Sequence, residues 1–212
     1  MQLSDVEVRI LGCLIEKEAT TPDSYPLSLN ALTSACNQLS NREPVMALGE
    51  DQVKWAVNSL RQQSLVRAIQ PSDARVMKFQ HLLTEKLDLD QPALAVLCVL
   101  MLRGPQTLGE IKTRTNRLAE FTNLANVEAA VSGLMARELA MEMARRPGQK
   151  ETRYAHLLSG ASSEAPAEVA VDTAAAEPAR DRIAELEASL DEVRRELAEL
   201  RARFEDFTRQ FG

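Results

Sequence analysis

Residues 53–66 read VKWAVNSLRQQSLV and residues 127–140 read VEAAVSGLMARELA. Val53, Ala56, Val57, Leu60 and Leu65 of the first recur as Val127, Ala130, Val131, Leu134 and Leu139 of the second, at a constant offset of 74. Self-similarity of this kind marks a duplicated unit. It extends upstream, where SLNALTSACNQL aligns with TLGEIKTRTNRL at an offset of 79 and RILGCL with AVLCVL at an offset of 86. Downstream, the only two histidines stand in QHLL (80–83) and AHLL (155–158). One unit therefore occurs twice, and the first copy carries about a dozen extra residues around TTPDSYPLSLN.

Both copies show the same succession of patterns. Ser4 and Glu7 have the spacing of a capping box, Leu3 and Val8 that of a hydrophobic staple, and Val6, Ile10, Leu11, Leu14 and Ile15 follow at helical spacing. A first helix is expected to about Glu18. Leu29, Leu32, Ala35, Cys36 and Leu39 give a second apolar stripe, and a third helix is expected from Gly49, with Glu50 and Asp51 placed well for the helix dipole. The period then changes from helical to alternating: LVRAIQ, the turn PSDA and RVMKFQHLL predict a hairpin. The second copy has its own capping box, Thr107 and Glu110, and a hairpin from LAMEMA and TRYAHLL with Pro147-Gly148 at its tip. Three short helices followed by a hairpin describe a winged helix.

The expected fold class is mainly α with small β-hairpins, an α+β chain of two tandem winged-helix domains followed by a C-terminal heptad helix. The first domain covers residues 1–86 and the second 87–160. Residues 161–180, rich in Ala, Glu and Pro, read as a disordered linker. Residues 181–212 read as an amphipathic coiled-coil helix. Its a/d seam is Ile183, Leu186, Leu190, Val193, Leu197, Leu200, Phe204 and Phe207, and a homodimer through this helix, the winged-helix domains or both is expected.

Charge divides along the same line. Residues 1–160 hold 18 of the 25 Lys+Arg and 18 of the 31 Asp+Glu, so the whole net charge of −6 lies in residues 161–212. The folded part is neither acidic nor basic overall, and any nucleic-acid contact must come from a local cluster. No basic N-terminal run and no 18-residue apolar stretch occurs, so no signal peptide or membrane contact is expected and the cytoplasm is the expected compartment. Cys13, Cys36 and Cys98 are odd in number and apolar in surroundings, which suits buried free thiols.

No phosphate-cradling glycine loop, G-x-S-x-G, H-E-x-x-H or C-x-x-C occurs, so no catalytic residue, metal site or cofactor is expected. His81 and His156 occupy matching places, which points to an inherited structural role. The third helices are poor in side chains able to reach base edges. The second copy instead carries Lys112, Arg114 and Arg117 on its middle helix and Arg145, Arg146, Lys150 and Arg153 on its hairpin. These seven cations are the candidate nucleic-acid contacts, suited to phosphates of double-stranded DNA with little sequence selectivity.

The stretch TTPDSYPLSLNALTSACNQLSNREPV (20–45), with LRGPQTLGEIKTRTNRLAEF (102–121) and RRPGQKETRYAHLLSG (145–160), resembles the YceH-like family of bacterial proteins. The resemblance implies a tandem winged-helix fold and a bacterial, cytoplasmic setting, and implies no activity. Leu39 departs from it, standing where the family usually has a lysine. Within the stretch, Pro22 and Pro26 are expected to fix an extended loop, Tyr25 to pack on the core with its hydroxyl outward, and Ser28 to cap the second helix. Tyr25, Asn30, Asn37, Gln38, Asn41 and Arg42 form a second candidate surface, for a protein or nucleic-acid partner. The alternative is a hydrogen-bonded brace between this loop and the first unit.

Overall fold

A computed structural model describes residues 2–70, 76–144 and 151–159. The C-terminal seam and the linker lie outside these residues, as do Arg145, Arg146 and Lys150. Within them the protein is mixed α/β, with seven α-helices and two small antiparallel sheets.

Helix α1 (Asp5–Thr20) starts where the sequence places it. The Ser4 hydroxyl accepts from the Glu7 amide, and the Glu7 carboxylate accepts from the Ser4 amide at 2.7 Å. Leu3 and Val8 are both buried. A 3-10 turn (Pro22–Ser24) leads to strand β1 (Leu27–Ser28), and the Ser28 hydroxyl caps α2 (Leu29–Cys36) by accepting from Ala31. Helix α3 (Glu50–Gln62) follows, then the hairpin of β2 (Val66–Ile69) and β3 (Lys78–His81). Helix α4 (Leu83–Leu87) is a single short turn linking the copies. The second copy supplies α5 (Gln91–Arg103), α6 (Leu108–Thr115), α7 (Leu124–Ala136) and the hairpin of β4 (Ala140–Glu142) and β5 (Tyr154–His156).

The duplication is visible in the hydrogen bonds. The N-caps Ser4, Ser28 and Gly49 are matched by Asp90, Thr107 and Asn123 at the offsets 86, 79 and 74 found in the sequence. After α3 and α7 the chain turns through a left-handed residue, Ser64 (φ 58) and Glu138 (φ 55). There the Leu65 amide reaches back to Leu60 and the Leu139 amide to Leu134, both at 2.9 Å, which satisfies a helix-end carbonyl and aims the chain into the hairpin. Strand β1 adds to β3, giving the order β1-β3-β2 with Leu27 opposite Phe79 and Ala68 opposite Phe79. The second copy keeps a remnant of that pairing, a two-bond bridge between Gln106 and Tyr154. Each histidine closes a hairpin: His81 Nδ1 accepts from the Leu83 amide and His156 Nδ1 from the Leu158 amide, both at 3.3 Å.

The described residues of both copies fall in one compact unit, Met1–Ser162, with a continuous buried cluster from Leu3 to Leu158. The join is α1 against α5. At Gly12 the two helices approach so closely that a Cβ would lie 2.8 Å from Leu102 Cδ2. The Leu3 amide donates to the Leu158 carbonyl at 2.8 Å, tying the start of the first copy to the end of the second. Cys13, Cys36 and Cys98 are free and buried. No helix among the described residues is long and apolar enough to cross a membrane.

Candidate functional site

The chain of the first copy leaves α2 at Cys36, earlier than the sequence period would end it. Asn37 is the cause: its amide nitrogen donates to the Leu48 carbonyl at 2.8 Å and its Oδ1 accepts from the Leu48 amide at 2.7 Å. This pair closes residues 37–48 into a loop and turns the chain off the helix axis. Leu39, expected in the buried stripe, is therefore 84% exposed.

Two buried arginines hold the loop from inside. Arg9, on the core face of α1, donates to the carbonyls of Cys36 (3.2 Å) and Pro44 (2.6 Å). Arg42 is expected from the sequence on an interaction surface, and the structure corrects this: its side chain is fully buried. Its guanidinium reaches Glu16 through Nη2 at 2.6 Å and Nη1 at 3.1 Å, and donates to the Ala35 carbonyl (3.1 Å) and to Gln38 Oε1 (2.9 Å). A guanidinium fork matches a carboxylate in this way, and its remaining donors are taken up by carbonyls. Burial pushes the Glu16 carboxyl up, but the hydrogen bonds and charge of Arg42 outweigh it and hold the group below its ordinary value of 4.5.

Tyr25 is also corrected. Its hydroxyl points inward and accepts from the His81 amide at 2.9 Å. With Nδ1 of His81 already an acceptor, Nε2 carries the proton and meets Glu18 Oε2 at 2.8 Å. Burial depresses the pKa of the matching His156. Asn30 is exposed on α2. Of the six residues read as one surface, Tyr25, Asn37 and Arg42 are braces, while Asn30 and Asn41 face outward and Gln38 is half-buried.

The cations of the second copy are brought together in part. Arg114 lies 3.5 Å and Arg153 3.1 Å from the same carboxylate, Glu110, and Arg153 also donates to the Pro105 carbonyl at 2.8 Å. One negative charge thus serves two guanidiniums. Lys112 donates to the Thr122 carbonyl at 3.2 Å. Arg117 is exposed, with no ion-pair partner among the described residues. Sequence reasoning misses Arg103, at the end of α5, whose guanidinium donates to Asn41 Oδ1. Burial and then the nearby charge of Arg114 lower its pKa, so positive charge is crowded here. Its only signal is its place in the LRGP stretch.

The two sequence-predicted surfaces meet at one place. Arg117 of the second copy and Gln38, Leu39, Ser40 and Asn41 of the first line a half-open cleft of about 460 Å³, completed by the end of α1. Ligand pockets have volumes of this order.

The family described as "Protein of unknown function, DUF480" matches residues 3–149. The UPF0502 protein of Geobacter metallireducens is 50% identical over 217 residues, covering 99% of this chain and 98% of its own length. The UPF0502 protein HEAR1280 of Herminiimonas arsenicoxydans is 48% identical over 209 residues, covering 96% and 88%. That of Pelobacter propionicus is 55% identical over 162 residues, 76% of this chain and 74% of its own length. With the family match spanning more than half of the sequence and relatives of near-equal length, the chain belongs to the DUF480 family, the UPF0502 proteins of bacteria.

Proposed function

We propose that the protein is a tandem winged-helix protein that acts by binding double-stranded DNA through phosphate contacts. The repeated order of helix, strand, helix, helix and hairpin supports the fold reading, with β1 laid against the hairpin in one copy and the Gln106–Tyr154 bridge in the other. The observation that carries the function is the excess of guanidinium on the second copy: Arg114 and Arg153 share the Glu110 carboxylate, Arg103 feels the charge of Arg114, and Arg117 has no ion-pair partner among the described residues. Arg145, Arg146 and Lys150, the other cations read from the sequence, lie outside the described residues. Such a surface neutralises phosphates and releases counterions without reading bases.

A salt titration of full-length protein against a labelled duplex of arbitrary sequence tests this. The logarithm of the affinity should fall linearly with the logarithm of salt, with a slope of about −0.9 per phosphate neutralised. Arg114→Glu and Arg117→Glu should each flatten that slope. No binding at low ionic strength, or binding indifferent to salt, would overturn the proposal.

A second reading, a protein-interaction scaffold with no DNA binding, is favoured by the apolar side chains that the first copy leaves in water: Leu39, Val45 and, at 75% exposure, Trp55. Under it, Leu39→Asp or Trp55→Ala abolishes partner capture while the Arg114 and Arg117 variants retain it.

A further inference from the structure

The cleft between α1 and residues 38–41 has a chemical character that neither function above requires. Gln38 offers its carbonyl oxygen to Arg42 (2.9 Å), and Asn41 offers its carbonyl oxygen to Arg103. An amide whose oxygen is taken presents its NH2 group to whatever lies beside it. Both amides line the cleft, and neither NH2 group has a partner among the described residues. Lys17, Ser40 and Arg117 line it as well. The hydroxyls of Thr20 and Thr21 are turned away, donating to the Glu16 and Lys17 carbonyls at 2.8 and 3.1 Å.

The one acid in the wall is Glu16. Both its oxygens are already engaged by Arg42, and Lys17 lies 3.4 Å from Oε2. Of the residues that line the cleft, Lys17 and Arg117 stand against a single carboxylate, which the buried Arg42 already engages. The wall is thus rich in donors and net positive. It is also braced, because the buried Arg42 guanidinium donates to Gln38 Oε1 and to the Asn41 backbone carbonyl, and Arg103 of α5 donates to Asn41 Oδ1.

We infer that this cleft is a seat for a phosphate group, with the Arg117 fork on two oxygens, Lys17 as the opposing charge and the amides of Gln38 and Asn41 completing the shell. The phosphate belongs either to a phosphorylated small molecule or to a nucleic-acid backbone. The seat stands whether or not duplex DNA binds.

Full-length, nitrogen-15-labelled protein titrated with inorganic phosphate and with adenosine monophosphate, at constant ionic strength in chloride, tests this. Both should give saturable shifts of the amides of residues 38–41 and 117. Lys17→Gln and Arg117→Gln should each weaken binding at least tenfold, and Ser40→Glu should abolish it. Arg114→Gln, outside the cleft, should leave phosphate binding unchanged while weakening any duplex binding. Adenosine monophosphate that displaces a labelled duplex identifies a backbone phosphate as the natural occupant; saturation without displacement identifies a small molecule. Shifts that do not saturate, or that are the same in the Lys17 and Arg117 variants as in the parent, overturn the inference.

Discussion

Arg42 shows how much a single buried charge can organise. Its side chain has no exposure, yet it sets the position of Gln38 and holds Glu16 by two bonds. Removing one partner of a buried pair leaves the other without compensation, at a cost of about 3 to 5 kcal/mol, whereas replacing both by apolar groups is often nearly neutral. Arg42→Met should therefore lower the unfolding free energy by roughly that amount in urea denaturation, and the Glu16→Met, Arg42→Met double variant should recover much of it. The pH dependence carries the same signature. Glu16 has its folded pKa below its ordinary value of 4.5, so its contribution is present above the unfolded value and is lost as the pH falls through the folded one. Glu16→Gln should remove that part of the acid sensitivity. A double variant no more stable than Arg42→Met alone would show that the pair is not the origin of the loss.

At the scale of elements, what can be read from the sequence is what is encoded locally. The caps Ser4, Ser28 and Thr107 and the change from helical to alternating period are legible because each involves residues a turn apart. Leu39 is misread as core because the event that ends α2, the Asn37–Leu48 pair, joins residues eleven apart. Strand β1 is invisible for a related reason: it is two residues long and exists only through β3, some fifty residues on. Of the site, Arg117, Gln38 and Asn41 are identifiable by type, while Arg42 reads as part of an interaction surface and Arg9 and Arg103 carry no mark. Two glycines test the helix packing in opposite directions. A methyl group added at Gly12 would meet Leu102 Cδ2 and Cγ at 2.8 and 2.9 Å and Met101 Cβ at 3.3 Å, in a seam where both residues are buried. Gly12→Ala should cost about 1–3 kcal/mol by forcing α1 and α5 apart. Gly133, in mid α7, has open space there, and Gly133→Ala should stabilise by about 0.5–1 kcal/mol. Thermal melts of the two variants should move in opposite directions.

At the scale of the whole unit, the duplication has produced two copies that fold as one. The α1–α5 seam is the largest shared surface, and polar ties cross with it: the Leu3 amide to Leu158, the Glu43 amide to the Leu102 carbonyl at 2.8 Å, and Arg103 to Asn41. Opening one copy would expose the buried side chains that α5 packs against α1, including Met101 and Leu102, to water at about 1.5–3 kcal/mol each. Unfolding of the described unit should therefore be a single transition, with the amides of Val57 in α3 and Val131 in α7 exchanging at the same free energy in native-state hydrogen exchange. Gly12→Ala, although it lies in the first copy, should lower protection at both positions equally. Protection lost at Val57 and retained at Val131 would mean that the second copy carries its own stability, and the loop that meets Arg117 would then be poised on a body able to open independently.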